Sequence, residues 1–149
     1  MAAHSAGILL VRGHAASREV LIGHMGGPFW ARKDEGAWSI PKGEYDPATE
    51  HAWDAARREF QEELGLPVPD GPTTELGVFR VTSGKQLTAF RVAADLDVAD
   101  AVFGEFELEW PPRSGRFERF PEIDRVAWTS VATARTRLVL GQRRLPDLI

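Results

Sequence analysis

Glu59, Glu62 and Glu63 stand within one turn of each other in the segment AWDAARREFQEELGL, whose apolar residues recur with the period of a helix. At about 100° per residue, the three carboxylates fall within a sector of roughly 100°. Like charges at these spacings repel by roughly 0.2–0.5 kcal/mol per pair when solvated. One account is a solvated acidic face. The other is a divalent-cation site, because Mg²⁺ takes hard oxygen ligands, usually one or two carboxylates completed by water and substrate phosphates. Three carboxylates one turn apart supply two ligands and one base.

The flanking residues bear on that choice. Gly43, Glu50, Arg58-Glu59-Phe60, Glu62-Glu63 and Gly65-Leu66 closely resemble the Nudix box, which runs glycine, five residues, Glu, seven residues, then Arg-Glu-apolar-x-Glu-Glu-x-Gly-apolar. From Glu50 to Leu66 every fixed position is met. One departure precedes that run, since six residues separate Gly43 from Glu50. Keeping five would place Thr49 at the Glu position. Glu50 is preferred, because the extra residue falls in a Pro-containing loop where added length costs little.

The resemblance implies roles for these residues. Glu59, Glu62 and Glu63 would bind Mg²⁺ or Mn²⁺ bridging a diphosphate, and Glu59 would also orient the attacking water. Arg58 would hold Glu59 by charge-assisted hydrogen bonds, with Glu50 steadying Arg58. Gly43 would offer its carbonyl at close approach. Family members often add an acid from a loop before a late strand, and Glu122 in FPEIDRVAW matches that place, as metal ligand or base. Lys42, next to Gly43, is set to neutralise a phosphate or to stand as a solvated lysine.

Outside the box, two segments mix aromatics with bases. Phe29, Trp30, Arg32 and Lys33 precede it, and Trp110, Arg113, Arg116 and Arg119 follow. Aromatic faces stack bases and Arg grips phosphates, so Trp30, Arg113 and Arg116 are expected to bind substrate. The competing role for Trp30, Trp38 and Trp110 is packing. Both segments resemble a subgroup of small bacterial Nudix proteins known only as predicted NTP pyrophosphohydrolases. Glu105, Glu107 and Glu109 share one side of an alternating strand, a solvated face unless Glu107 reaches the metal. His4, His14, His24 and His51 are scattered and are expected to be surface or structural.

These residues need elements to position them. Ser5–Arg12 and Glu19–Gly23 read as strands, and Trp38–Ile40 as a short one inside a glycine-rich loop spanning 26–43. A helix follows from Thr49 or Glu50 to Leu64, ended by Gly65 and Pro67. Phe60, Trp53, Leu64 and Ala56 form its sheet-facing side, while Ala52 and Ala55 continue the acidic stripe and leave open space. Thr74–Val81 and Gln86–Leu96 read as a hairpin across TSGK. Val102–Trp110 alternates, Pro111-Pro112 breaks it, Arg125–Thr129 is a last strand and Val131–Leu140 a second helix. The fold class is α/β (α+β). With the resemblance it becomes an α/β/α sandwich with a mixed central sheet, one domain over residues 1–149.

The bulk properties narrow the chemistry further. Zero cysteines exclude disulfides, thiolate catalysis and the Nudix-fold prenyl-diphosphate isomerase chemistry that wants a Cys. They also fit a reducing cytoplasm. A net charge of −4 weighs against a duplex nucleic-acid binder, and no apolar run approaches a membrane span. The expected function is hydrolysis of a nucleoside-diphosphate-linked small molecule with Mg²⁺ or Mn²⁺. A nucleoside triphosphate or dinucleoside polyphosphate comes first, and ADP-ribose or another nucleotide sugar next. A non-catalytic nucleotide sensor that regulates a partner is the alternative, and a monomer or homodimer is expected.

Overall fold

Alternating apolar residues in the central strands divide into two sets, and each set meets its own helical layer. The computed structural model describes residues 3–149. Strands β1 (Ala3–Arg12), β2 (Glu19–Met25), β3 (Trp38–Ser39) and β4 (Lys42–Glu44) precede helix α1 (Ala52–Leu64). After it come β5 (Thr73–Thr82), β6 (Lys85–Ala93), β7 (Glu105–Glu109), β8 (Phe117–Pro121), β9 (Ile123–Ser130) and helix α2 (Val131–Arg137). The main sheet runs β3-β2-β1-β6-β5, with β4 on β1 and β9 on β2. Only β1 and β6 are parallel neighbours within it, from Ala3 opposite Lys85 to Val11 opposite Ala93. The sheet is therefore mixed, as the sequence implies.

On one face Ala6, Ile8, Leu10, Leu21, Phe90 and Val92 bury against Ala55, Ala56, Phe60 and Leu64 of α1. On the other, Leu9, Val11, Val20, Ile22, Leu87 and Ala89 meet Ala134 of α2, Leu138 just after it and Leu145 near the C-terminus. Burial of each large aliphatic side chain contributes about 1.5–3 kcal/mol. Among the described residues no helix is long and apolar enough to cross a membrane.

Several boundaries move, each for a local reason. Helix α1 starts at Ala52 because the amides of Thr49 and Glu50 both bond the Asp46 carbonyl, closing a turn of their own. Ala55 is fully buried against the sheet rather than facing open space. Helix α2 stops at Arg137, after which the Val139 amide donates to the Trp38 carbonyl at 2.8 Å. Residues 102–104 are not strand. They cross the end of α1, where the amides of Val102 and Gly104 donate to the carbonyls of Leu64 and Glu63. Strands β7 and β8 form a separate hairpin, with β8 hidden in the sequence by its charges and its terminal proline.

Two features tie the long loop after β2 to the rest. The buried His24 places Nδ1 2.8 Å from an Asp124 carboxylate oxygen and Nε2 2.7 Å from the Lys33 carbonyl. Phe29 meets Trp110 edge-on with ring centroids 5.4 Å apart. His24 is thus structural, as expected of it, and it pins the loop to β9.

Candidate active site

The divergence of β1 and β2 makes room for the site. β1 pairs with β2 only at Val11 and Arg12, and its other half pairs with β4 from Ser5 opposite Glu44 to Gly7 opposite Lys42. That pairing lays Gly43 against α1. A Cβ on Gly43 would overlap the Glu59 carboxylate, so only glycine leaves that carboxylate its place. Helix α1 ends cleanly just beyond, with Gly65 in the left-handed region at φ 68° and its amide on the Gln61 carbonyl at 2.8 Å.

Arg58 organises the acids. Its guanidinium donates to both Glu50 oxygens, at 2.9 and 3.0 Å, to Glu59 at 2.8 Å and to Glu62 at 3.3 Å. These bonds hold the Glu50 carboxyl below the usual carboxylate range and raise Arg58 further above its own. Glu50, not Thr49, meets Arg58. Thr49 instead donates its hydroxyl to the Asp46 carbonyl, so the extra residue is absorbed in the turn before the helix.

Glu59 and Glu63 pay for burial with raised pKa values. Desolvation lifts Glu59, opposed by its hydrogen bond from Arg58. Burial pushes Glu63 up to about 8, against the attraction of Lys42 and the hydrogen bond that the Lys42 amide donates at 3.3 Å. The nearby charges of Glu122 and Glu59 raise it further. Glu62 is exposed and bonded only to Arg58. No three His, Asp or Glu groups among the described residues converge at metal-holding distance. The donor set still fits Mg²⁺, whose sites use one or two carboxylates with waters and substrate phosphates completing the shell.

The carboxylates share a cleft of about 440 Å³. Its lining includes Lys42, Gly43, Glu59, Glu62, Glu63 and Glu122, together with Lys85, Gly104 and Glu105. A cavity of about 170 Å³ opens beside it, between Trp30, Phe106, Met25 and Ile123, and shares Lys42, Glu63 and Glu122. A larger hollow of about 590 Å³ on the outer side of α1 reaches Arg58 but, of Glu59, Glu62, Glu63 and Glu122, only Glu62. We take the 440 Å³ cleft as the site, because the half-buried carboxylates of Glu59 and Glu63 line it.

Glu122 enters from the opposite wall through backbone bonds. Its amide donates to the Gly104 carbonyl at 2.7 Å, and its carbonyl accepts from Gly26 at 3.0 Å. With the Gly104 amide on Glu63, these bonds join the helix end, residue 104, Glu122 and the start of the Trp30 loop.

Sequence reasoning misplaced some residues and missed others. Arg113 and Arg116 sit in the turn of the β7–β8 hairpin and line neither cavity. The Pro, Ser and Gly around them mark the turn those positions serve. Glu107 lies opposite Arg119 in the hairpin, and it is Glu105 that lines the cleft. Lys85 was missed because a lysine after Ser-Gly reads as turn chemistry alone. Phe106 was missed because its alternation suggested packing.

The stability of the protein without divalent cation should report Glu63. Its pKa is higher folded than unfolded, so the neutral form is favoured on folding. That contribution is fully present below about pH 4.5 and is lost as pH rises toward 8. In EDTA, the melting temperature is expected to fall by on the order of 5 °C between pH 6 and 8.5, and Glu63→Gln to remove that component. An identical slope in the variant would assign the titration elsewhere.

The NUDIX domain family model matches residues 1–148. Comparison with curated proteins finds no match. Among solved structures, the chain is similar to the NUDIX domain of Shewanella oneidensis NrtR complexed with ADP ribose. The TM-score is 0.67 at 14% identity, covering 99% of this chain and 86% of that one. It is similar to a C. elegans Ap4A hydrolase at TM-score 0.61 and 18% identity, over 98% and 93% of the two chains. For the MutT protein from Methanosarcina mazei Go1 the values are 0.60 and 19%, over 97% and 90%. At such identities the likeness is one of fold.

Proposed function

This chain belongs to the Nudix family, and we propose that it hydrolyses a phosphoanhydride bond in a nucleoside-diphosphate-linked substrate. One observation carries the reading. Glu59 and Glu63 from α1 and Glu122 from the facing loop line one cleft, beside a backbone that only glycine can bring so close. A divalent ion such as Mg²⁺ or Mn²⁺, when bound, supplies neutralisation of phosphoryl oxygens and a lowered pKa for water.

The residues divide the remaining work. Glu59 and Glu63 would hold the ion, with Glu62 as the exposed third carboxylate and the Gly43 carbonyl as a further oxygen. Arg58 and Glu50 fix Glu59 before any ligand arrives, which lowers the cost of ordering it. Glu122, on the opposite wall, is placed to take the proton from the attacking water. Lys42 offsets charge on a phosphate as well as on Glu63, and Trp30 offers a face to the base. Nucleoside triphosphates or dinucleoside polyphosphates are the first substrate class, with ADP-ribose and nucleotide sugars next.

The test is release of phosphate and pyrophosphate from dNTPs, diadenosine polyphosphates and ADP-ribose, in Mg²⁺ and in EDTA. Turnover with one class in Mg²⁺ and none in EDTA is expected. Silence throughout, with nucleotide still bound, would replace hydrolysis by nucleotide sensing.

A further inference from the structure

The cleft and the smaller cavity adjoin across Lys42, Glu63 and Glu122, which line both, and the residues that line only one of them differ in character. The smaller cavity has Trp30 and Phe106. Each ring is supported from outside the cavity: the Lys33 ammonium lies 5.4 Å from the Trp30 ring centroid, and Phe106 leans on Gly27, where a Cβ would come within 3.2 Å of it. Phe106 also packs on Phe120, centroid to centroid 6.2 Å. Flat apolar walls over Met25 and Ile123 suit a base or another planar group.

The cleft is polar, and its lining includes Lys85. Its backbone is fixed as the first residue of β6, opposite Thr82 across the hairpin and opposite Ala3 in the parallel pair. Lys85 makes no ion pair among the described residues. Glu105, which lines the same cleft, is already bonded to Arg119 at 3.2 Å. An ammonium without a carboxylate partner, lining an acidic cleft, gains most from an anionic ligand oxygen.

A substrate with its base between Trp30 and Phe106 carries its phosphates past Lys42 and the carboxylates toward Lys85. We propose that Lys85 binds a phosphate beyond the pair held at Glu59, Glu63 and Glu122, so the site selects nucleoside polyphosphates of three or more phosphates. A diphosphate capped by a neutral sugar would bring hydroxyls to that ammonium and gain no charge pairing. This inference rests on the hydrolase reading and adds to it a direction and a phosphate count.

The test compares ATP with ADP-ribose, which share base, ribose and the first two phosphates. Lys85 is exposed, so Lys85→Ala is expected to fold. It should lower the ratio of kcat/KM for ATP to that for ADP-ribose by about five- to tenfold, mainly through KM. Lys85→Arg should restore most of the ratio. A ratio unmoved within twofold, with turnover of both compounds intact, overturns the proposal and leaves the hydrolase reading standing. Wild-type protein that turns over neither compound, nor the dNTPs and diadenosine polyphosphates, sinks the hydrolase reading instead. The direction is then read from Mg²⁺-dependent binding, where equal weakening for both ligands in Lys85→Ala overturns it.

Discussion

Glu63→Gln is expected to abolish metal-dependent turnover while making the cation-free protein more stable at pH 8. The amide keeps the shape of the carboxylate and still accepts the hydrogen bond from the Lys42 amide, at 3.3 Å in the native protein. It removes the charge that burial and the neighbouring acids disfavour, which is the cause of the raised pKa of about 8. It also removes an anionic ligand, so kcat should fall by at least about a thousandfold. Few substitutions separate the two properties so directly, since most losses of activity from partly buried positions come with losses of stability. Thermal melts in EDTA alongside single-turnover kinetics in Mg²⁺ check both halves. Retained activity would remove Glu63 from the site, and a lower melting temperature in EDTA would show that its carboxylate is stabilised by something other than a cation.

Gly43→Ala is the second large effect, and it acts through Glu59. The added methyl would occupy the space of the Glu59 carboxylate, while the backbone of β4 pairs on with Ala6. The cheapest relief is rotation of the Glu59 side chain, away from both Gly43 and its bond to Arg58. Stability is expected to stay within about 1 kcal/mol of the native value. Activity should drop by about a hundredfold or more, the usual cost of displacing a reacting group by an ångström. A structure of the variant should show the guanidinium of Arg58 still on Glu50 and detached from Glu59. Full activity with the carboxylate displaced would mean that Glu59 serves only the fold.

How far the sequence speaks for itself depends on how local each interaction is. The Glu50–Arg58–Glu59 arrangement was implied by the resemblance to the Nudix box, a motif that can be matched in sequence because all three residues lie within one helix and the turn before it. The strands β1 and β2 were legible because burial on both sides leaves short apolar runs in the sequence, and β6 because it alternates after the TSGK turn. What could not be read is what long-range pairing decides. Lys85 reaches the cleft only because β6 lies parallel to β1, which brings a hairpin turn beside Ser5 and Glu44. Arg113 and Arg116 looked like phosphate grips by composition, but two prolines and a glycine commit them to a turn outside both cavities. Strand β8 was missed because two of its five residues are charged and its partner, β7, is itself short.

The backbone link across the site has a further consequence, for how such a chain changes over time. Glu63 and Glu122 lie far apart in the sequence, yet peptide groups join them: Gly104 amide to Glu63 carbonyl, Glu122 amide to Gly104 carbonyl, Gly26 amide to Glu122 carbonyl. Hydrogen bonds between peptide groups are indifferent to which side chains the residues carry. Mutational drift in the connecting segment can therefore rewrite nearly every side chain without altering the spacing of the two walls. Gly104 and Gly26 are the exceptions, since a Cβ on the first would come within 2.7 Å of the Glu62 carbonyl oxygen and one on the second would overlap the Pro121 carbonyl oxygen. A lineage can exchange the aromatic and basic lining on either side of this link, and so change what it binds, while the acidic groups keep their separation.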